Sequence, residues 1–295
     1  MAVLALTAAP GRAAFDVPVM TPQAAAMGGA SLANTADSAS LFLNPAGSSR
    51  LSGPEAYFMY DQLYAGLEGV GGIGQGFAAA GVPTKFGTFS AGFADFQAAG
   101  LLEDRVLGLG YSRRLFPGLD AGVTGKYLSQ SYLVGSDPAA ASDPVFANGT
   151  SRSAFALDAG LIATLGDAVK AGLAVRNLNE PDLGLATVDR VPREVQAGLS
   201  YDVRPWALRL TADYLYTDAQ AGTLTQRSLP SVGLQKGFAE DRVQLRLGAT
   251  PDQFSGGVGI RFGPLDFDYA FILSLGLLSN NAGTQQVGIR YRFGK

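Results

Sequence analysis

The side chains that could do chemistry are acids and bases set at alternate positions of short apolar runs. Asp266 and Asp268 lie two apart in LDFDYAF, which puts both carboxylates on one face of a strand and would suit proton transfer. Asp158, Lys170, Arg176, Arg209, Asp213, Arg246, Arg261, Arg290 and Arg292 hold the same phase in their own runs. No nucleophile constellation accompanies them. The chain has no His and no Cys, which removes the Ser-His triad, the Cys nucleophile, the usual zinc ligand sets and any disulfide framework. No enzyme, metal site or cofactor is expected. Gly69, Gly71 and Gly74 make a G-x-G-x-x-G match in GVGGIGQG, but a dinucleotide site needs that turn to open a helix inside a βαβ unit, and no helical pattern follows. With 22 Lys+Arg against 25 Asp+Glu and no basic run, the chain lacks the electrostatic footprint of a nucleic-acid binder.

The elements that carry these charges read as strands. Val243, Leu245, Leu247 and Ala249 alternate with Gln244, Arg246 and Gly248, and Val287, Ile289, Tyr291 and Phe293 alternate with Gly288, Arg290 and Arg292. One face is apolar and the other polar. Runs of this kind predict about fourteen strands, near 55–63, 70–82, 86–95, 104–115, 118–129, 153–165, 168–178, 192–203, 205–216, 226–237, 241–250, 254–262, 264–274 and 284–293, each roughly the ten residues that a tilted strand needs to cross a bilayer. The connections alternate in length. Short ones at 83–86, 116–118, 165–168, 203–205, 237–241 and 262–264 are interleaved with longer ones at 96–103, 131–151, 179–191, 217–225 and 275–283, and only 250–253 breaks the order. This is the pattern of a bacterial outer-membrane barrel with short periplasmic turns and longer outer loops. It predicts an all-β transmembrane antiparallel barrel over 55–295 with both termini periplasmic and outer-membrane lipids around it. Aromatics near the short turns (Phe116, Trp206, Phe238, Phe262, Phe293) and near the long loops (Tyr64, Tyr127, Tyr132, Tyr214, Tyr216, Phe271) suggest two girdles.

The N-terminal part differs. Residues 1–14 resemble the end of a signal peptide without its basic start. Residues 15–54 are rich in Ala and Ser, with Asp37 placed to cap a short helix over 38–43 and Pro45 holding Asn44 out of helix. A fourteen-stranded barrel is a wide hole unless filled, so this segment is expected as a plug.

The stretch AAAMGGASLANTADSASLFLNPAGSSRL, with Asn44, Pro45, Ala46 and Gly47 as its most specific positions, resembles the N-terminal signature of PorV/PorQ-like outer-membrane proteins and, more distantly, the FadL/TodX-like barrel superfamily. VRNLNEPDLGL at 175–185 and VPREVQAGLSY at 191–201 resemble the mid-barrel part of the PorV-like group. The resemblance implies a fourteen-stranded barrel with an N-terminal plug. It implies two functions: a secretion-associated or protein-interacting barrel with secretion-machinery partners of the type IX kind, as for PorV, or passive passage of small hydrophobic molecules such as fatty acids, as for FadL-like members. A purely structural envelope barrel is a third reading.

Three site expectations follow. The inward charges (Asp158, Arg176, Arg209, Asp213, Arg246, Arg261, Asp266, Asp268, Arg290, Arg292) either form a polar channel and grip the plug, or pair off along the wall. The arginines of the last four strands could also hold a carboxylate. Gly69, Gly71, Gly72, Gly74 and Gly76 could kink the second strand, opening a lateral portal as in FadL-like proteins or making a bend against the plug. Tyr291 and Phe293 on the last strand resemble the signal read by the outer-membrane assembly machinery.

Overall fold

A computed structural model describes residues 21–66, 72–134, 142–217, 227–275 and 282–294. The signal-like segment 1–14, residues 15–20, Gly69 and Gly71 lie outside these. Fourteen antiparallel strands close into a barrel in sequence order, the last pairing with the first. They are β1 (Glu55–Leu63), β2 (Ile73–Thr84), β3 (Gly87–Ala98), β4 (Leu102–Phe116), β5 (Leu119–Tyr132), β6 (Ser151–Leu165), β7 (Val169–Arg176), β8 (Glu194–Val203), β9 (Leu208–Thr217), β10 (Arg227–Phe238), β11 (Val243–Thr250), β12 (Gln253–Phe262), β13 (Leu265–Ser274) and β14 (Thr284–Arg292). Every strand pairs with a neighbour on both sides, the condition for backbone to survive in hydrocarbon, while the ends of β6 before Ala159 and of β10 before Val232 run past β7 and β11.

The period-two pattern becomes two surfaces. On β13, Asp266, Asp268, Ala270 and Ile272 are buried while Phe267, Tyr269, Phe271 and Leu273 stand out from the barrel. The outward set on every side is apolar, as with Phe58 and Tyr60 on β1, Leu107 and Leu109 on β4, and Val287 and Ile289 on β14. Among the described residues no helix is long and apolar enough to cross a membrane; the strands cross it. Trp206, Phe116 and Phe262 project outward beside the short turns, and Tyr127, Tyr214 and Phe271 outward toward the other end. The ladder between β3 and β4 runs from Thr88–Ser112 up to Ala98–Leu102, so the loop expected at 96–103 is a turn of residues 99–101 only.

Inside the ring lies the N-terminal segment. Helix α1 (Pro22–Ala26) rests on β11 to β14, and a 3-10 turn at Pro45–Arg50 rests on β3 to β6. The segment therefore crosses the lumen from one wall to the other. Between them, Gly28 and Gly29 adopt φ of +66° and +84°, the left-handed region that a β-carbon disfavours, and helix α2 (Ser40–Leu43) follows. Asp37 Oδ1 accepts from the Ser40 amide at 2.9 Å and its hydroxyl at 3.0 Å.

Candidate functional site

The lumen has three parts: the plug and its seat, a charged wall, and an apolar wall. The seat is made of missing side chains. Gly92 and Gly108 face each other across β3 and β4, Gly122 and Gly160 across β5 and β6, Gly172 and Gly198 across β7 and β8, and Gly233 and Gly248 across β10 and β11. Each points inward, and a β-carbon there would collide with the plug: with Phe42 at Gly92 and Gly108, Pro45 at Gly122, Asn44 at Gly160, Ala33 at Gly172, Leu32 at Gly198, and Met27 at Gly233 and Gly248. Strand glycine here serves close approach of a second backbone.

The Asn-Pro-Ala-Gly element is the centre of that contact. Asn44 is fully buried. Its Nδ2 donates to Leu161 O on β6 and to Leu32 O within the plug, each at 3.2 Å, and its Oδ1 accepts from Ala46 N at 3.2 Å. Asn44 is extended (φ −146°, ψ 102°), as the following proline requires. Gly47 is hemmed in by the side chains of Thr35 and Ser40.

The charged positions named from the sequence divide between contacts to the plug and pairs along the wall. Asp213 accepts from the Ser31 and Leu32 amides of the plug at 3.0 and 2.9 Å. Arg176 bonds Leu43 O at 3.2 Å while pairing with Glu194 at 2.7 Å, and Lys170 reaches both Asn34 and Asp202. The remainder pair along the wall: Asp158 with Lys126 at 2.8 Å, Arg209 with Asp202 at 2.6 Å, and Arg246 with Asp268 at 2.6 Å. Asp266 gathers Arg261 at 3.2 Å, Arg292 at 2.5 Å and Arg290, and Arg290 also faces Asp37 of the plug at 3.9 Å. The arginines of the last strands are thus already engaged by carboxylates of the barrel and plug, which leaves little call for an outside carboxylate. Burial pushes the Asp37 carboxyl above its ordinary range, against the pull of Arg290 and the Ser40 bonds.

The third part was not expected from sequence. Across β1 to β6 a single register row reads Met59, Phe77, Ala94, Val106, Leu128, Ala154, all inward and apolar. Its members pack with Phe42 and Leu41 of the plug and with Leu183 and Val191 of the 177–193 connection, which folds into the mouth. Phe42 meets Phe77 edge-on at 5.7 Å between ring centres. The connection is braced by Asp182, whose carboxyl is held below its usual range by the amides of Gly184 and Asp189 at 2.9 and 2.8 Å. The row hides in the sequence because inner and outer faces of β2 are both small or apolar: GFAAAGV at 76–82 shows no contrast.

The glycine run has no such role in its described part. β2 pairs without a break with β1 from Ile73 to Gly81 and with β3 from Ile73 to Thr84. Gly74 and Gly76 face outward on a regular strand, Gly72 accepts from Ala99 N at 3.1 Å, and neither a kink nor a lateral opening is present there. A groove of about 480 Å³ lies instead where β14 meets β1 and β13, lined by the outward Phe58, Tyr60, Ile260, Phe267, Val287 and Ile289 and also by the inward Met59, Phe77, Asp268 and Gly288. Tyr291 and Phe293 stack edge-on at 4.8 Å on the outer face, where β14 closes on β1.

No protein-family model matches the chain, and no curated protein matches it in sequence. Solved structures do match in fold. A structure of the CymD monoaromatic hydrocarbon channel superposes with a TM-score of 0.69 at 16% identity, covering 95% of this chain and 99% of that one. The toluene transporter TodX of Pseudomonas putida gives a TM-score of 0.66 at 13% identity over 95% and 98% of the two chains. A FadL homologue of Pseudomonas aeruginosa gives 0.62 at 13% identity over 94% and 99%. At these identities the likeness is one of fold: the barrel shares the architecture of FadL-like channels over nearly its whole length.

Proposed function

We propose that this chain is an outer-membrane channel that lets small hydrophobic molecules pass, its plug closing the lumen at rest and its short turns facing the periplasm. The observation that carries the reading is the apolar row from Met59 to Ala154. An aqueous pore lines its lumen with polar side chains; six strands of apolar inner wall suit a solute that water does not. The matched hydrocarbon channels support this over the secretion-associated reading, which rests on the sequence resemblance alone. Outer-membrane lipid against the apolar belt, and assembly-machinery recognition of Tyr291 and Phe293, belong to the same proposal.

The test is uptake of labelled toluene by Gram-negative cells that lack such channels, with and without the full chain in the outer membrane. Faster uptake with the chain, at equal permeability to a charged solute, is expected. An unchanged rate overturns the reading.

A further inference from the structure

Directly above the apolar row, toward the long-loop end, the next inward row is polar. Gln286 of β14, Asp61 of β1 and Gln75 of β2 are direct partners on three adjacent strands. They are 5%, 2% and 3% exposed. Gln286 Nε2 donates to Asp61 Oδ2 at 3.1 Å. Beyond that bond, Asp61 Oδ1, Gln75 Nε2 and Gln286 Oε1 have no side-chain partner among the described residues, although the Gln75 backbone amide lies close to the Asp61 carboxylate. No described Lys or Arg pairs with Asp61. Single orphaned atoms occur elsewhere on the wall, as at Asp104 Oδ1, Asp158 Oδ2 and Asp213 Oδ1, but here three lie side by side on adjacent strands, and a cluster of such exceptions calls for a reason.

We propose that Asp61, Gln75 and Gln286 bind the hydroxyl group of a small hydrophobic alcohol or phenol, whose hydrocarbon body lies against Met59 and Phe77 in the row below. The proposal rests on the channel reading and narrows its substrate class. The orphans are one donor and two acceptors. A hydroxyl oxygen accepts from Gln75 Nε2 while its O–H donates to Asp61 Oδ1 or Gln286 Oε1. A carboxylate would set a second negative charge beside Asp61, an ammonium has no lone pair for Gln75, and a bare hydrocarbon meets none of the three. Met59, Phe77 and Gly288, each two residues further along its strand, carry no polar side chain.

The experiment uses the full chain in lipid nanodiscs, with p-cresol, toluene and p-toluate as probes and empty nanodiscs as the reference for partitioning. Wild type is expected to retain p-cresol over toluene by about tenfold, one good hydrogen-bonded contact's worth, and to reject p-toluate. Q75L, which removes the donor, and the double variant D61L/Q286L, which removes both acceptors, should each bring the p-cresol preference close to that of toluene, with toluene still retained above empty nanodiscs. Should D61L/Q286L fail to give the closed barrel, as judged by heat-modifiable gel mobility, Q75L carries the same readout. Equal retention of p-cresol and toluene by wild type, or a preference that survives the substitutions, overturns the hydroxyl site and leaves the channel standing. Retention of neither probe above empty nanodiscs overturns both.

Discussion

Gly122 of β5 and Gly160 of β6 face each other directly, and the Asn44-Pro45 step of the plug occupies the space two side chains would need. The plug and the barrel are thus complementary at the level of single β-carbons. G160L should force the Asn44 segment off the wall and break the Asn44–Leu161 bond, at a cost of about 1–3 kcal/mol typical of overpacking. Limited proteolysis should cut the N-terminal segment while the barrel keeps its heat-modifiable mobility; an uncut segment would show that the seat tolerates bulk.

Among the described residues Asp213 is the wall side chain that takes two adjacent plug amides. D213A leaves both buried donors without an acceptor, each costing about 1–3 kcal/mol. Hydrogen exchange at Ser31 and Leu32 should accelerate well beyond that of the strands. D213N, which keeps an acceptor oxygen, should exchange close to wild type.

Plug docking should depend on acidity through Asp37. Burial raises its carboxyl above the unfolded value of 3.8, so the docked state binds the proton more tightly than the released one. Its favourable contribution is complete below pH 3.8 and is lost as pH rises through the raised value. Exchange of the plug amides, corrected for intrinsic rate, should therefore slow on acidification. D37N, neutral throughout, should flatten this dependence; an unchanged profile in D37N would place the titration elsewhere.

Passage should require the plug to move. The β-carbon position at Gly81 lies 3.3 Å from Ser38 Cβ, near the separation a disulfide spans, with only the flexible end of Leu51 in the way. Since the chain has no other cysteine, S38C/G81C can form just one bridge. Oxidation should stop toluene uptake and reduction restore it. Uptake that ignores the redox state would mean that solutes pass around a fixed plug.

The strand count and the two faces of β10 to β14 were legible because charge alternates with bulk there, as in Arg290 and Arg292 between Ile289, Tyr291 and Phe293. Asp37 and Pro45 gave the plug's turns, since capping and proline restriction are local effects. The apolar row was not legible. Phe77 and Ala79 point inward while Ala78 and Ala80 point outward, and nothing in residue type separates them; only register does. The same blindness applies to Gly76 and Gly92, outward and inward glycines that look alike in sequence. The meaning of Asp61, Gln75 and Gln286 was hidden for a different reason: Gln286 lies far from the other two in the chain and meets them only because β14 closes on β1.

The glycine seat also has a consequence for how such chains can vary through descent. A strand residue at 160 and a plug residue at 44 share one volume, so neither can drift alone: a bulkier wall demands a smaller plug residue opposite it, and the reverse. Related chains should therefore change these positions in matched pairs, even though more than a hundred residues separate them in the chain.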